Sequence, residues 1–189
     1  MDSALGIASK RATSDVVDLP TFAEAVEEQK AMVFSIAWHF LRDRAAADEI
    51  AQDVFLELHR RWDHIQNGDH LVYWLRKVTS HRCLDSIRRH KHHLETSLEE
   101  SAEPTALERL NDPLLSSYLA RMVASLPEKP RIALILRYQE GMEPEEIAQV
   151  LGLHVSTVKS QISRALDLLR VKTERRLRSS KEIDANDRL

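Results

Sequence analysis

The segment from residue 155 to 176 carries side chains that could hydrogen-bond to DNA. Short hydroxyls and carboxamides reach base edges in a major groove, and Lys or Arg side chains bond to phosphates. The candidates are Ser156, Thr157, Lys159, Ser160, Gln161 and Arg164. An ordinary solvated helix face is the alternative, because any surface helix can carry Lys and Ser. The small polar residues near the start of the segment favour DNA, since bulkier side chains would block entry into the groove.

Two apolar stripes position this segment. Spacings of three and four residues predict one helix that ends at Leu151 and a second that begins near Val155. Gly152 stands between them and can adopt the left-handed backbone that closes a helix. Pro144 suits the first turn of the earlier helix. The short connection has the spacing of a helix-turn-helix.

A second group of cations lies between residues 74 and 93. Its six Lys and Arg residues oppose one acid, Asp85, and Tyr73 and Trp74 stand at its start. Cations beside aromatic rings suit a nucleic-acid backbone, particularly a single strand whose bases can stack on the rings. The alternative is a solvated cationic face. Trp74 itself shares an apolar stripe with Leu71 and Val78, which predicts that it is a core residue.

An acidic helix is predicted from about residue 46 to 62. Its carboxylates would repel DNA, and they could serve solubility alone. Phe55, however, falls outside the stripe formed by Ile50, Val54 and Leu58. An apolar ring among carboxylates indicates a surface that docks another protein.

The composition predicts an all-α protein. Apolar residues make up 43% of the 189 residues, aromatics only 5%, and there are four glycines and six prolines, too few for the turns of a sheet sandwich. The single cysteine, Cys83, excludes an internal disulfide and fits a reducing compartment. The first twenty residues hold no signal-peptide core, and no apolar run approaches the length of about 18 residues that spans a membrane. We therefore expect a soluble, cytoplasmic protein without membrane insertion.

Pattern and charge divide the chain into two small helical domains. Residues 21–94 form the first and residues 113–176 the second. Between them, residues 95–112 are rich in Asp and Glu and contain Pro104, which predicts a linker. Residues 1–20 and 177–189 lack apolar periodicity, and we expect both ends to be flexible.

The sequence contains few of the features that an enzyme active site requires. Neither a nucleophile turn nor a convincing pair of carboxylates is present, so no catalytic residue and no cofactor are expected. His81, His90, His92 and His93 are candidates for a metal site only if they converge in space. We expect no metal, and we expect Cys83 to be a small packed residue.

In combination, these features resemble the bacterial RNA polymerase sigma factors, in particular the extracytoplasmic-function group of the sigma-70 family. The order is an acidic helix, a basic helix with Trp, an acidic linker and a helix-turn-helix. The matching segments are DEIAQDVFLELHRRW (48–62), YWLRKVTSHRCLDSIRRHK (73–91), LPEKPRIALILRYQEGMEPEEIAQVLGL (126–153) and STVKSQISRALDLLR (156–170). The resemblance covers about residues 22 to 175.

The resemblance implies a promoter-recognition subunit with three binding surfaces. The acidic helix would bind core RNA polymerase through Asp48, Glu49, Gln52, Asp53 and Phe55. The basic helix would hold the melted −10 element through Lys77, His81, Arg82, Asp85, Arg88 and Arg89. The six candidates between Ser156 and Arg164 would read the double-stranded −35 element. Members of the family are often held inactive by an anti-sigma factor, so such a partner is expected too.

Three positions depart from the family pattern. Ser80-His81 stands where the family often has Arg-Asn, and His154 stands where a Ser or Thr usually caps the recognition helix, so Ser156 is an alternative cap. Gln161 replaces a common Arg. Because Gln bonds adenine bidentately whereas Arg favours guanine, the −35 preference should differ near that residue. Rival interpretations are a helix-turn-helix regulator that acts without polymerase and a pure protein adaptor.

Overall fold

The computed structural model describes the backbone of residues 19–96 and 113–186, and the side chains of residues 19–89 and 118–175. Within these ranges the chain is helical and contains no strand, which confirms the all-α prediction. The elements are α1 (Phe22–Leu41), α2 (Arg44–Arg60), a short 3-10 turn (Trp62–His64), α3 (Gly68–Thr96), α4 (Pro113–Ala124), α5 (Glu128–Tyr138), α6 (Pro144–Leu151) and α7 (Val155–Asn186). We call α1–α3 the first helical unit and α4–α7 the second.

Two helices extend beyond their predicted ends. The third, α3, reaches Thr96 and so enters the predicted linker, and α7 reaches Asn186, within the tail that was expected to be flexible. Neither extension contains a Gly or Pro that would stop a helix. Residues 1–18 and 97–112 lie outside the described residues, so the flexible N-terminus and the rest of the linker stay predictions.

Local signals set several helix ends. Thr21 and Glu24 form a capping box at the start of α1, and the Asp43 carboxylate accepts a hydrogen bond from the Ala46 N–H at 3.1 Å at the start of α2. The carboxamide of Asn67 accepts from the His70 N–H at 2.8 Å. Asn67 therefore caps α3, which begins at Gly68.

The first helical unit is a three-helix core. Phe40 of α1, Leu58 of α2 and Leu75 of α3 are fully buried. Cys83 is buried as well, as predicted, and burial raises the pKa of its thiol to about 12. The ring of Phe22 meets the rings of His59 and Trp62 edge-on at 5.0 and 5.5 Å, which closes the end of the unit.

The second helical unit contains the predicted helix-turn-helix. Gly152 ends α6 with φ +64°, the left-handed conformation that its position predicts, and Pro144 occupies the first turn of α6. Ile147 and Val158, from the two helices of the motif, are fully buried. The motif thus presents the opposite side of α7 to solvent.

None of the helices within the described residues has the length and apolarity needed to cross a bilayer.

Candidate protein and nucleic-acid interfaces

The outer face of α2 is acidic and has one exposed apolar side chain at its C-terminal end. Asp48, Gln52 and Leu56 follow one another at intervals of four residues, and Glu49 lies beside them; all four side chains are exposed. We call these four residues the docking face. Leu56, at the C-terminal end of this face, is 57% exposed, a large apolar surface with Gln52 one turn before it and Arg60 one turn after it.

The apolar member of this surface differs from the prediction. Phe55 is half-buried and packs against the core of the first unit, whereas its neighbour Leu56 faces solvent. Phe55 does lie outside the main apolar stripe, as predicted. It nevertheless reaches the core through a second contact at the side of the helix. This side chain is therefore an anchor of α2, and the exposed apolar group is the next residue.

Asp53 differs from the prediction in a second way. Its carboxylate accepts a hydrogen bond from Arg82 Nη1 at 2.8 Å, and Glu57 accepts one from Arg82 Nη2 at 2.6 Å. One guanidinium therefore joins α2 to α3. A residue predicted to bind polymerase and one predicted to bind DNA are ion-pair partners within the unit.

A basic cleft lies along the exposed side of α3. It is open, has a volume of ≈ 790 Å³, and contains every residue predicted to hold the −10 element. Its walls carry five Lys or Arg side chains and only two carboxylates. The lining residues are Glu57, Arg61, Trp74, Lys77, Val78, His81, Arg82, Asp85, Arg88 and Arg89. The surplus of cations favours an anionic ligand.

The cleft residues differ in their interactions with neighbouring side chains. Lys77 lies 5.7 Å from the centre of the Tyr73 ring, and Arg88 pairs with Asp85 at 3.2 Å. His81 and Arg89 are exposed. Except for Arg82, these side chains lie near the surface and can exchange their present partners for a phosphate at low cost.

Trp74 combines the core and cleft roles. It packs against the core cluster, as its stripe predicts, but it is only half-buried and also lines the cleft. Its remaining surface is therefore available for stacking with an unpaired base. The sequence alone could not separate these roles, since a residue at the edge of a stripe satisfies both.

Ser80, in contrast, is fully buried, with its hydroxyl oxygen enclosed and unbonded. It therefore does not contribute to the cleft. The side chains of His90, His92 and His93 lie outside the described residues. Among the described ones, no three His, Cys, Asp or Glu side chains converge where a metal ion could bind.

The exposed face of α7 carries most of the predicted base-reading residues. Ser156, Lys159, Ser160, Ser163 and Arg164 are exposed, and we call these five the reading face. Thr157 is half-buried at its edge. The helix begins at Val155, and the His154 carbonyl accepts from the Val158 N–H at 3.1 Å. Ser156 therefore lies in the first turn and does not replace His154 as the cap.

Gln161 lies at the margin of this surface. Its side chain is half-buried, and its carbonyl oxygen is buried without a hydrogen-bond partner. Bidentate contact with adenine requires both polar atoms of the carboxamide, so the side chain must first rotate outward. Gln161, which was predicted to read bases, therefore lies at the edge of the reading face in the structure.

Lys159 is held by an acid of the preceding helix. Its Nζ lies 3.1 Å from the Glu145 carboxylate, and both side chains are mostly exposed. This hydrogen bond lowers the pKa of Glu145. The pair connects the two helices of the motif, and Lys159 would exchange a carboxylate for a phosphate on meeting DNA.

Two family models match the chain at these sites. Sigma-70 region 2 matches residues 25–93, and Sigma-70 region 4 matches residues 116–169. The first match contains α2 and most of α3, and the second contains the helix-turn-helix. The chain belongs to the sigma-70 family of RNA polymerase sigma factors.

Several curated relatives of this sigma factor are named as members of the extracytoplasmic-function (ECF) group. It is 29% identical over 175 residues to the ECF RNA polymerase sigma factor SigE of Mycolicibacterium smegmatis, covering 89% of this chain and 68% of the relative. It is 24% identical to the ECF RNA polymerase sigma factor SigW of Bacillus subtilis, over 81% of this chain and 89% of the relative. The expected family is therefore confirmed, including its group.

Solved structures have the same fold. The sigma factor RpoE from Bartonella quintana, in complex with the anti-sigma factor NepR, matches with a TM-score of 0.72 and 20% identity, over 81% of this chain and 96% of that one. CnrH, in complex with the cytosolic domain of CnrY, matches with a TM-score of 0.59 and 21% identity, over 81% and 87% of the two chains.

The Arg82 bridge should support the stability of this sigma factor. Replacing Arg82 with Met keeps much of the side-chain volume but leaves Asp53 and Glu57 without their shared partner. We expect the free energy of unfolding to fall by about 1–2 kcal/mol, because two charge-assisted hydrogen bonds at a partly exposed site are lost. Urea denaturation followed by circular dichroism measures the change.

The matched control is Arg88→Met, which removes an exposed pair from the same helix. Its effect should stay below about 0.5 kcal/mol. Equal losses in the two variants would contradict a structural role for Arg82.

Proposed function

We propose that the docking face of α2 binds core RNA polymerase, that the basic cleft holds the non-template strand of the melted −10 element, and that the reading face of α7 contacts the −35 element. The chain then acts as a promoter-recognition subunit without a catalytic step of its own. The observation that carries this proposal is the basic cleft, because it combines a cationic wall with a half-exposed Trp74 ring.

The cleft suits a single strand better than a duplex. Cations at its rim can pair with a phosphate backbone, and Trp74 offers a surface on which one extruded base can stack. Such a base is accessible only after the duplex opens, so binding in the cleft would favour the melted state.

The docking face suits a protein and repels DNA. Its acidic side chains face solvent, and Leu56 adds an exposed apolar side chain at its C-terminal end. Interfaces of this kind obtain affinity from a desolvated apolar anchor and orientation from the surrounding charges. A basic surface of polymerase with an apolar recess is the complement we expect.

Substitutions of Leu56 and Phe55 distinguish a role in polymerase binding from a role in core packing. We expect Leu56→Ser to weaken binding to core polymerase by about tenfold, because an exposed apolar anchor is lost, while stability stays within about 0.5 kcal/mol. Phe55→Ser should instead lower stability by several kcal/mol, since it removes a ring that packs against the core. Polymerase titration and urea denaturation of both variants measure the two effects; the reverse assignment would contradict the structure.

A protein that blocks these faces would regulate the factor. The similar proteins RpoE and CnrH were solved with NepR and with the cytosolic domain of CnrY, and NepR is named an anti-sigma factor. By analogy we propose an anti-sigma partner for this chain, acting in the cytoplasm.

Reconstituted transcription tests the proposal. Purified core polymerase, this protein and a promoter library should yield RNA that starts at a small set of defined sites and is absent without the protein. A polymerase-independent regulator would instead bind its DNA sites with or without polymerase and would fail to direct new starts. Failure to associate with core polymerase would overturn the proposed function.

A further inference from the structure

Most of the cations that line the basic cleft are already paired with carboxylates of the same chain. Arg61 Nε lies 3.1 Å from one oxygen of the Glu57 carboxylate, and Arg82 Nη2 lies 2.6 Å from the other oxygen. Arg88 pairs with Asp85 at 3.2 Å. Three of the five cations in the cleft wall therefore have an anionic partner before any ligand arrives.

The Arg82 guanidinium is held more firmly than the others, because it bridges two acids of α2. Its Nη1 donates to Asp53 at 2.8 Å, and its Nη2 donates to Glu57. The Arg82 side chain is 29% exposed and that of Glu57 is 27% exposed, whereas both members of the pair between Arg88 and Asp85 are about twice as exposed. Water screens the Arg82 bridge less, so a phosphate must compete harder for this cation than for Arg88.

The bridge places carboxylates where a nucleic acid would place phosphates. Both groups offer anionic oxygens that accept charge-assisted hydrogen bonds from a guanidinium. The remaining N–H groups of Arg82 could still donate to a phosphate, but the network of Arg61, Arg82, Asp53 and Glu57 carries no net charge. A phosphate that approaches the intact bridge therefore gains little attraction from it, and it also approaches the Glu57 carboxylate in the cleft wall.

We propose that Asp53 and Glu57 set the affinity of the basic cleft for single-stranded DNA by occupying Arg82 in place of a phosphate. The identity of this ligand rests on the proposed function. A strand that recruits Arg82 must first break the two bridges, and the cost of breaking them is subtracted from its binding free energy. Asp53 then acts on the DNA site as a positioning residue, although the family resemblance implied a polymerase contact for it.

Binding of an oligonucleotide to the free protein tests this role. The protein is titrated into a fluorescein-labelled single-stranded oligodeoxynucleotide of mixed sequence, and fluorescence anisotropy reports binding. Asp53→Asn together with Glu57→Gln should raise the affinity about tenfold at low salt, because Arg82 no longer has to leave two carboxylates. The logarithm of the binding constant should also fall more steeply with the logarithm of salt concentration, by about 0.7 for each cation that gains a phosphate.

The two amides have nearly the same size as the acids they replace, and circular dichroism checks that the double variant is folded. Asp53→Asn alone should give part of the gain and provides a milder variant. No gain in either variant would overturn the proposal.

A matched control removes two negative charges elsewhere. Glu28→Gln together with Glu174→Gln changes exposed acids of α1 and α7 that line neither the cleft nor the docking face. This pair should raise the affinity less than about threefold. An equal gain in the two double variants would show that net charge sets the affinity and would contradict a specific role for Asp53 and Glu57.

A third substitution tests the part played by Arg82. Adding Arg82→Met to the variant with Asp53→Asn and Glu57→Gln should lower the affinity by at least about fivefold, because the released guanidinium is lost. A gain that survives this change would come from weaker repulsion alone and would overturn the proposal. Absence of oligonucleotide binding by every variant would overturn it together with the cleft as a DNA site. Wild-type protein that fails to direct initiation by core polymerase would instead count against the proposed function.

Discussion

Replacing Asp48 and Glu49 with Lys should lower the affinity for core RNA polymerase by about a hundredfold. Both side chains lie on the docking face, where the partner surface is expected to be basic, so each substitution converts an attraction into a repulsion. The fold should be unaffected, because neither side chain is buried. Titration of labelled factor with core polymerase at fixed salt measures the change.

The matched control changes net charge equally at another place. Glu28 and Asp63 are exposed acids outside the docking face, and replacing both with Lys should change the affinity by less than about threefold. Similar losses in the two double variants would show that net charge, and not this face, governs the interaction.

Arg164→Glu should abolish the contribution of the −35 element to initiation. Arg164 is exposed on the reading face of α7, and the reversed charge would meet a phosphate or an acceptor-rich base edge. We expect at least a fiftyfold loss at a promoter selected by the wild type, because an attractive contact becomes repulsive. Run-off transcription measures the loss on that promoter and on one whose −35 element is scrambled.

Arg170→Glu is the control on the same helix. Arg170 is also exposed but lies beyond the reading face, almost two turns further along α7. It should reduce initiation less than threefold. If Arg164→Glu lowered initiation equally on the intact and scrambled promoters, the residue would not act through the −35 element.

Much of the second unit was predictable because its signals are local. Pro144 and Gly152 fix the two ends of α6 through their own backbone preferences, and the stripe through Ile147 and Val158 determines which sides of α6 and α7 are buried. The exposed side of α7 follows from that stripe. Local sequence therefore predicted both the motif and most of its exposed surface.

The docking face could be predicted only in part. Carboxylates are exposed almost wherever they occur, so the exposure of Asp48 and Glu49 could be predicted. The choice between Phe55 and Leu56 depends on what lies beside α2, and both residues flank the main stripe. The neighbouring helices cover the first and leave the second exposed, which periodicity alone does not reveal.

Ion pairs between helices and contacts between the two units could not be predicted from the sequence for the same reason. The family resemblance implied separate roles for Arg82 and Asp53, although the two side chains bond to each other. The bond between Arg131 and Phe40 joins residues 91 positions apart. No local pattern encodes such a distance, because it depends on how completed helices pack.

Because buried residues of both helical units form one apolar cluster, we expect the free factor to unfold on heating as a single cooperative unit. Because Phe40 and Leu136 belong to the same buried cluster, loosening α1 removes support from α5 and from the recognition helix packed on it. Differential scanning calorimetry should therefore show one transition with matching calorimetric and van't Hoff enthalpies, whereas independent units would give two. A destabilising change in α1 would then lower the melting temperature of α7 as well.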